Sequence, residues 1–140
     1  MPLSADRPAV IAIAANLAQV RRLAAFLKEF CAREGVDDLA AFDVELALVE
    51  AANNVVEHGY ANSGQGEMTL EVIAEADVLR LVLSDGGAPV PEGYFTQCRV
   101  VDPEATHGRG CNIIQACVDE IDYVSADGIN RLTLVKRLQS

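Results

Sequence analysis

The chain has 140 residues and a mass of 15.0 kDa, a length that buries roughly two thirds of the unfolded surface and forms one hydrophobic core. Hydrophobic residues make up 51% and charged residues 23% of the chain, a composition that excludes intrinsic disorder and predicts a single domain over residues 1–140. A net charge of −10 argues against nucleic acid and anionic membranes as partners, because both are polyanionic surfaces.

The four cysteines show neither a C-x-x-C pair nor a ladder of short spacings; they are Cys31, Cys98, Cys111 and Cys117. This pattern favours reduced thiols and therefore a cytoplasmic protein over a zinc ribbon or a disulfide framework. The longest stretch without a charged residue covers residues 8–20, which is shorter than the roughly 20 residues that a transmembrane helix needs. We therefore expect no membrane-spanning segment.

The first half of the chain predicts a strand followed by two helices. Alternating apolar residues over 8–14 indicate a strand, and Asn16 and Gly35 are suited to cap the two ends of the first helix. A second helix is expected to begin after Asp37 or Asp38, whose carboxylates can accept hydrogen bonds from free amides of its first turn. Its predicted core stripe consists of Phe42, Leu46, Val49 and Val56.

The second half predicts two hairpins separated by a long loop and a short helix. Period-two segments over 68–74 and 78–83 form the first hairpin, and segments over 121–124 and 131–138 form the second, around Asp127-Gly128. Residues 88–107 have no periodicity and contain three prolines, which is typical of a functional lid or binding loop. A short helix is expected to open at Gly110. This order of elements predicts an α+β, two-layer sandwich with a mostly antiparallel, mixed sheet.

The second helix carries polar residues beside its apolar face. Glu50, Asn54 and Glu57 are spaced i, i+4, i+7 and therefore share one stripe. A solvated face is the ordinary explanation of such a stripe. The adjacent Asn53 and Asn54 favour a ligand site instead, because asparagine is a poor helix former and both residues lie in mid-helix.

Two glycine-containing segments provide further candidate ligand groups. Asp85 stands where a strand runs into Gly86-Gly87, so its carboxylate can accept a hydrogen bond from an exocyclic amino group while Gly87 lets a flat ring approach. Gly108-Arg109-Gly110 precedes a helix, whose free amides form an anion site with Arg109 as an added cation. Alone, each segment is weak evidence. His58 and His107 lack metal-ligand spacing to the cysteines and are interpreted as structural.

Taken in order, these segments resemble a known family. They are EAANNVVEHGY over residues 50–60, DGGAP over 85–89, GRG over 108–110 and NRLTLVKRL over 130–138. The combination closely resembles the anti-sigma-factor serine/threonine kinases of bacteria, which belong to the ATP-binding superfamily of gyrase, Hsp90, histidine kinases and MutL. The resemblance covers about residues 9–138 and implies the Bergerat type of histidine-kinase-like ATPase fold.

The resemblance implies a role for each candidate residue. Asn54 would coordinate a Mg²⁺ ion on the triphosphate of ATP, and Glu50 would be the base that deprotonates an incoming serine hydroxyl. Asp85 would accept from the adenine amino group, and Gly87 would make room for the ring. Residues 88–107 would form the ATP lid, while Gly108, Arg109 and Gly110 would contact the phosphates.

The same resemblance implies the partners: a small anti-sigma-factor antagonist as phosphorylation substrate, a sigma factor or analogous regulator as captured protein, and a second copy of the chain in a homodimer. Kinase members often carry an arginine just ahead of the G-x-G box, where this chain has Thr106 and His107. This departure leaves open an alternative function, a nucleotide-binding regulatory module that holds its partner without phosphotransfer.

Overall fold

The computed structural model describes residues 8–60, 66–75, 77–90, 95 and 109–138, apart from the side chains of residues 60 and 109–112. The elements are β1 (Ala9–Ala14), α1 (Leu17–Glu34), α2 (Asp38–Tyr60), β2 (Glu67–Glu75), β3 (Val78–Asp85), α3 (Arg109–Cys117), β4 (Glu120–Ala126) and β5 (Ile129–Arg137). The predicted order and type of every element are confirmed; β2, β3 and β4 extend beyond their predicted bounds, and β5 begins two residues earlier and ends one residue earlier than predicted. None of the helices described is long and apolar enough to cross a membrane.

The five strands form one sheet in the order β1-β2-β3-β5-β4. All four pairings of these strands are antiparallel, where the sequence predicted a mixed, mostly antiparallel sheet. Side chains alternate along β2 and β3 between fully buried and partly exposed. The helices therefore cover one face of the sheet, and the predicted two-layer α+β architecture is confirmed.

The helix caps follow the sequence signals. The Asn16 side chain accepts a hydrogen bond from the Gln19 amide at 3.0 Å, and Gly35 ends α1 in the left-handed conformation with φ 71°. At the start of α2, Asp37 Oδ2 accepts from the amides of Leu39 and Ala40 at 3.1 and 3.3 Å. Local chemistry thus fixes where both long helices begin.

The predicted core stripe of α2 is wrong at Phe42, whose surface is 61% exposed, beside the 70% exposed Leu39. Leu46 and Val49 are partly buried against the core, and Val56 is fully buried as predicted. The buried face of α2 consists of Val44, Ala47, Leu48, Ala51, Ala52, Val55 and Val56. These residues recur at three- and four-residue spacing as regularly as the predicted ones, but three of them are alanines, which let the helix pack closely and carry little signal as apolar side chains.

The sheet brings three polar positions into one row. Asp85, the last residue of β3, pairs with Asn130 of β5, which on its other side pairs with Ser125 of β4. The β4–β5 turn has positive φ at both Asp127 (57°) and Gly128 (79°), as a two-residue type I′ hairpin requires. This tight turn fixes the register of β5 against β4 and places Asn130 opposite Ser125, while the separate pairing of β5 with β3 places Asn130 beside Asp85.

Candidate functional site

The end of β3 carries a buried carboxylate held by a short polar network. Asp85 is 5% exposed and Asn130 is 2% exposed. Asp85 Oδ2 accepts hydrogen bonds from the Gly87 amide at 2.9 Å and from Asn130 Nδ2 at 3.2 Å. Asn130 Nδ2 also donates to the Gly87 carbonyl at 2.8 Å, and Ser125 Oγ donates to Asn130 Oδ1 at 2.7 Å. The network fixes both the carboxylate and the backbone turn that follows it.

The C-terminal end of α2 approaches the same turn. The Ala88 amide donates to the Gly59 carbonyl at 3.3 Å. A Cβ atom added at Gly59 would lie 3.2 Å from the Ala88 carbonyl oxygen and 3.7 Å from Asp85 Oδ2. The helix can approach this closely because residue 59 lacks a side chain.

Asn54 lies on α2 five residues before Gly59, about 7.5 Å along the helix axis. Its Nδ2 atom is buried and has no hydrogen-bond partner in the described part of the chain. An unsatisfied buried amide costs roughly 1–3 kcal/mol, so a ligand that supplies an acceptor at this point would recover free energy. Glu50, one turn earlier, is partly exposed, whereas Glu57 is exposed. Of the predicted stripe, Glu50 and Asn54 are thus partly buried beside the core and Glu57 faces solvent.

The first residues of the loop after β3 are anchored to β4 and α3. The Val90 amide donates to the Tyr123 hydroxyl at 3.1 Å, the rings of Phe95 and Tyr123 lie 5.3 Å apart, and Gln115 Nε2 donates to the Phe95 carbonyl at 3.2 Å. The pKa of the Tyr123 hydroxyl is raised overall. Burial is the largest cause, and the charge of Asp85 adds to it, while the hydrogen bond with Val90 acts in the opposite direction. The base of the predicted lid therefore has a defined position.

Arg109 and Gly110 lie in the first turn of α3, which packs against α2. Gly108, Thr106, His107 and most of the predicted lid over 88–107 lie outside the described residues. The structure thus joins Asp85 to Gly87 by a hydrogen bond and brings Asp85 and Ala88 close to Gly59, at the C-terminal end of the helix that carries Glu50 and Asn54.

Asn130, Ser125 and Tyr123 are site residues that the sequence reasoning did not assign. Asn130 stood at the start of a quoted motif, but its contact with Asp85 depends on strand register across 45 positions in the chain. One feature of the sequence could have indicated these two residues: Asn130 and Ser125 are polar, flank a hairpin turn and lie on a strand face that is otherwise apolar. Neither spacing nor propensity indicates which residue faces them.

Within the described residues, no three His, Cys, Asp or Glu side chains converge on a possible metal position. A cation here would need phosphate and water oxygens to complete its shell. This suits Mg²⁺, which binds few protein ligands and keeps several waters. Asn54 could serve such an ion only through its Oδ1 atom, whereas its buried Nδ2, which has no partner among the described residues, would donate to an acceptor on the ligand.

Comparison with known proteins identifies the family. The histidine kinase-like ATPase domain matches residues 13–136. The chain belongs to this family. The site described above therefore lies in a domain of a type that binds ATP, as the sequence motifs predicted.

Curated relatives support the anti-sigma resemblance. The chain is 29% identical over 89 residues to a Bacillus licheniformis protein named Anti-sigma F factor, covering 60% of each chain. It is 26% identical over 96 residues to Serine-protein kinase RsbW of Bacillus pumilus (strain SAFR-032), covering 62% of this chain and 59% of that one. The chain thus spans about three fifths of the length of these relatives.

A solved structure confirms the fold. The crystal structure of the RsbU and RsbW domains of Rv1364c from Mycobacterium tuberculosis matches 94% of this chain and 32% of its own, with a TM-score of 0.66 and 24% sequence identity. The histidine-kinase-like ATPase fold that the sequence predicted is therefore present.

Proposed function

We propose that the chain is an ATP-dependent protein serine/threonine kinase and anti-sigma factor. It phosphorylates a small anti-sigma-factor antagonist and sequesters a sigma factor or an analogous regulator. The observation that carries the proposal is the convergence of the Asp85 network and the α2 end bearing Asn54 in a domain of an ATPase family. The curated names Anti-sigma F factor and Serine-protein kinase RsbW support the choice of partners and of reaction.

Each predicted residue keeps its role in this proposal. Asp85 accepts from the adenine amino group, and Gly87 leaves room for the ring. Gly108, Arg109 and Gly110 hold the phosphates, and residues 88–107 close over the nucleotide as the lid. Asn54 would hold Mg²⁺ through Oδ1, and the ion would supply positive charge to the triphosphate. The single domain acts as a homodimer in the cytoplasm, where ATP is available and the free thiols of Cys31 and Cys117 stay reduced.

Glu50 takes the proton of the substrate serine in the transfer step. The serine oxygen forms a bond to the γ-phosphorus while the bond to the bridging β–γ oxygen breaks, and ADP leaves. Such reactions depend on positioning and on charge neutralisation, so a set of few side chains is chemically sufficient.

The first test is thermal unfolding with Mg-ATP, Mg-GTP, and ATP plus EDTA. Ligand at 100 times Kd stabilises by about 2.7 kcal/mol, which for this length raises Tm by roughly 8–10 °C. We expect this increase in Tm with Mg-ATP, and no comparable increase with Mg-GTP or with ATP plus EDTA. No shift with millimolar Mg-ATP would contradict the nucleotide site.

The second test is transfer of radiolabel from ATP to the cognate antagonist. Glu50→Gln should reduce the rate about 100- to 10,000-fold while leaving the Kd for ATP within about threefold, because it removes only the base. Glu57→Gln, an exposed glutamate on the same helix, is the matched control and should transfer normally.

The alternative function is a nucleotide-gated binding module without phosphotransfer, favoured by Thr106 and His107 in place of an arginine before the G-x-G box. Wild-type protein that binds Mg-ATP and the antagonist but transfers no label would establish this alternative in place of the kinase.

A further inference from the structure

A row of three polar side chains crosses the sheet beneath the proposed adenine site. Ser125 on β4, Asn130 on β5 and Asp85 on β3 occupy consecutive register positions, so each side chain reaches the next across one strand spacing. The residues next along β3 and β5 on this face, Leu83 and Leu132, are buried and apolar. The polar row is thus a specific departure at one end of an apolar sheet face.

The orientation of the Asn130 amide is fully determined by its neighbours. Its Nδ2 atom faces the Gly87 carbonyl at 2.8 Å and Asp85 Oδ2 at 3.2 Å, one acceptor for each of its two hydrogens. Its Oδ1 atom accepts from Ser125 Oγ at 2.7 Å. Reversing the amide would place an oxygen against two acceptors, so Asn130 is held in one orientation.

Asn130 in turn constrains Asp85. Oδ2 of the carboxylate receives one hydrogen bond from the backbone at Gly87 and one from Asn130, and Asn130 is only 2% exposed, so this bond is shielded from solvent. Rotation of the Asp85 side chain would break both bonds. The carboxyl group is therefore fixed in position and used as an acceptor.

We propose that Asn130, oriented by Ser125, is a positioning residue that sets the base specificity of the site. The inference rests on the proposed function, in which Asp85 faces the nucleotide base. Adenine presents an amino donor at C6, whereas hypoxanthine and guanine present a carbonyl oxygen there. A carboxylate held as an acceptor attracts the amino group and repels the carbonyl oxygen.

Loss of Asn130 would remove this selectivity without removing Asp85. A released carboxylate can rotate away from the base, so its attraction for the amino group and its repulsion of a carbonyl oxygen both weaken. A purely structural role for Asn130 predicts something different: lower stability and weaker binding of all nucleotides, with the ratio between bases unchanged.

The test is calorimetric titration of the full chain with Mg-ATP and Mg-ITP. In the wild type we expect the Kd for ITP to exceed that for ATP by at least about tenfold, as expected when a site built to hydrogen-bond a donor meets an analogue lacking it. Asn130→Ala should bring the two values within about threefold, chiefly by weakening ATP.

Two further variants, expected to lose less discrimination than Asn130→Ala, and one control are measured in the same way. Asn130→Thr keeps a hydroxyl donor and should retain most of the discrimination. Ser125→Ala leaves Asn130 in place but removes the hydrogen bond that orients the Asn130 amide, and it should give an intermediate ratio of the Kd for ITP to the Kd for ATP. Because Ser125 is exposed, this variant is expected to fold even where Asn130→Ala does not. Ser84→Ala, next to Asp85 but with its side chain on the opposite face of the sheet, should match the wild type.

The outcomes separate this inference from the proposed function. A wild type that binds no Mg-ATP overturns the proposed function. A wild type that prefers ATP, with the same ITP-to-ATP ratio in Asn130→Ala and Ser125→Ala, overturns the role of Asn130 alone. If the wild type binds ATP and ITP with equal affinity, the proposal that Asp85, Asn130 and Ser125 set the base specificity is overturned, while nucleotide binding itself still stands.

Discussion

The two ends of α2 lie beside opposite ends of β5 and differ in how their polar groups are satisfied. At the N-terminal end, Lys136 Nζ donates to Asp43 Oδ2 at 3.2 Å, and Asp119 Oδ2 accepts from the Arg137 amide at 2.6 Å. At the C-terminal end, Nδ2 of the Asn54 side chain is buried without a partner among the residues described. One end is chemically closed, and the other retains hydrogen-bonding capacity for a ligand.

The size of a cavity does not indicate which end of α2 binds a ligand. A cavity of about 490 Å³ opens at the closed end, lined by Leu39, Ala40 and Leu138 together with the Lys136–Asp43 ion pair. Of its two lining cations, Lys136 is paired with Asp43, and the cavity that also contains Arg137 is lined by the further carboxylates of Asp37 and Asp119. The unsatisfied amide, the close approach at Gly59 and the fixed carboxylate of Asp85 identify the other end by chemistry, because buried polar groups normally have partners.

The largest expected effect comes from two matched changes, one at each end. Asp85→Asn replaces the acceptor for the adenine amino group and should raise the Kd for Mg-ATP about 10- to 100-fold, the value of a hydrogen bond to a charged group. Asp43→Asn should leave that Kd unchanged and lower the free energy of unfolding by about 1–2 kcal/mol through loss of the ion pair. Calorimetry and urea unfolding measure the two effects; equal Kd values for the two variants would contradict the distinction.

Asn54→Ala should change binding and stability in opposite directions. Removing an unsatisfied amide and introducing a better helix former should raise the free energy of unfolding by about 1 kcal/mol. Loss of the proposed Mg²⁺ ligand should weaken Mg-ATP binding about 10-fold or more, and the difference between Mg-ATP and ATP with EDTA should shrink. Asn53→Ala is the neighbouring control. Undiminished Mg-ATP affinity in Asn54→Ala would remove Asn54 from the site.

A smaller effect is expected from Gly59→Ala. The new Cβ would lie 3.2 Å from the Ala88 carbonyl oxygen, so the turn after Asp85 must shift by a few tenths of an ångström. We expect ATP affinity to fall by about three- to tenfold, while the gain in helix propensity offsets much of the strain in the free protein. In Gly86→Ala the nearest atom, the Gly128 carbonyl oxygen, lies at 3.6 Å, and binding should be nearly normal. Equal losses in both variants would argue against a tight contact at Gly59.

The smallest expected effect concerns Cys31, which lines a groove with Phe42 near the closed end. Burial, followed by the charge of Glu45, raises the pKa of Cys31 from 9.0 to about 11. The folded state therefore binds the thiol proton more tightly than the unfolded state, and the resulting stability is lost as pH rises from 9.0 towards 11. Urea unfolding across this range should show a steeper decline for the wild type than for Cys31→Ala. Parallel declines would contradict the assignment.

Local signals explain most of what the sequence predicted. Asn16, Gly35 and Asp37 act through backbone groups within three or four residues, and Asp127-Gly128 defines its own turn, so these features can be read without tertiary information. Asp85 was placed correctly at the end of a strand for the same reason. Its partner Asn130 was not predicted, because the contact arises from strand register.

Phe42 is a residue whose burial could not be predicted from local sequence. Its spacing to Leu46 and Val49 is helical, but the rotation of α2 on the sheet is set by how closely the alanine-rich face packs, which is a property of several elements together. The roles of Glu50 and Asn54 came from a resemblance of motifs. The geometry adds that Asn54 Nδ2 is buried without a partner among the described residues, which indicates a hydrogen-bond acceptor on a ligand at this point.

The most direct measurement is a two-dimensional NMR titration of the full chain with Mg²⁺ and a non-hydrolysable ATP analogue. If nucleotide binds at the end of the sheet that carries Asp85, the amides of Gly59, Gly87, Ala88 and Asn130 should shift with saturation, while those of Asp37, Leu39 and Asp43 should stay in place. Saturable shifts confined to the Asp37–Asp43 end, or no shifts at either end, would contradict the site.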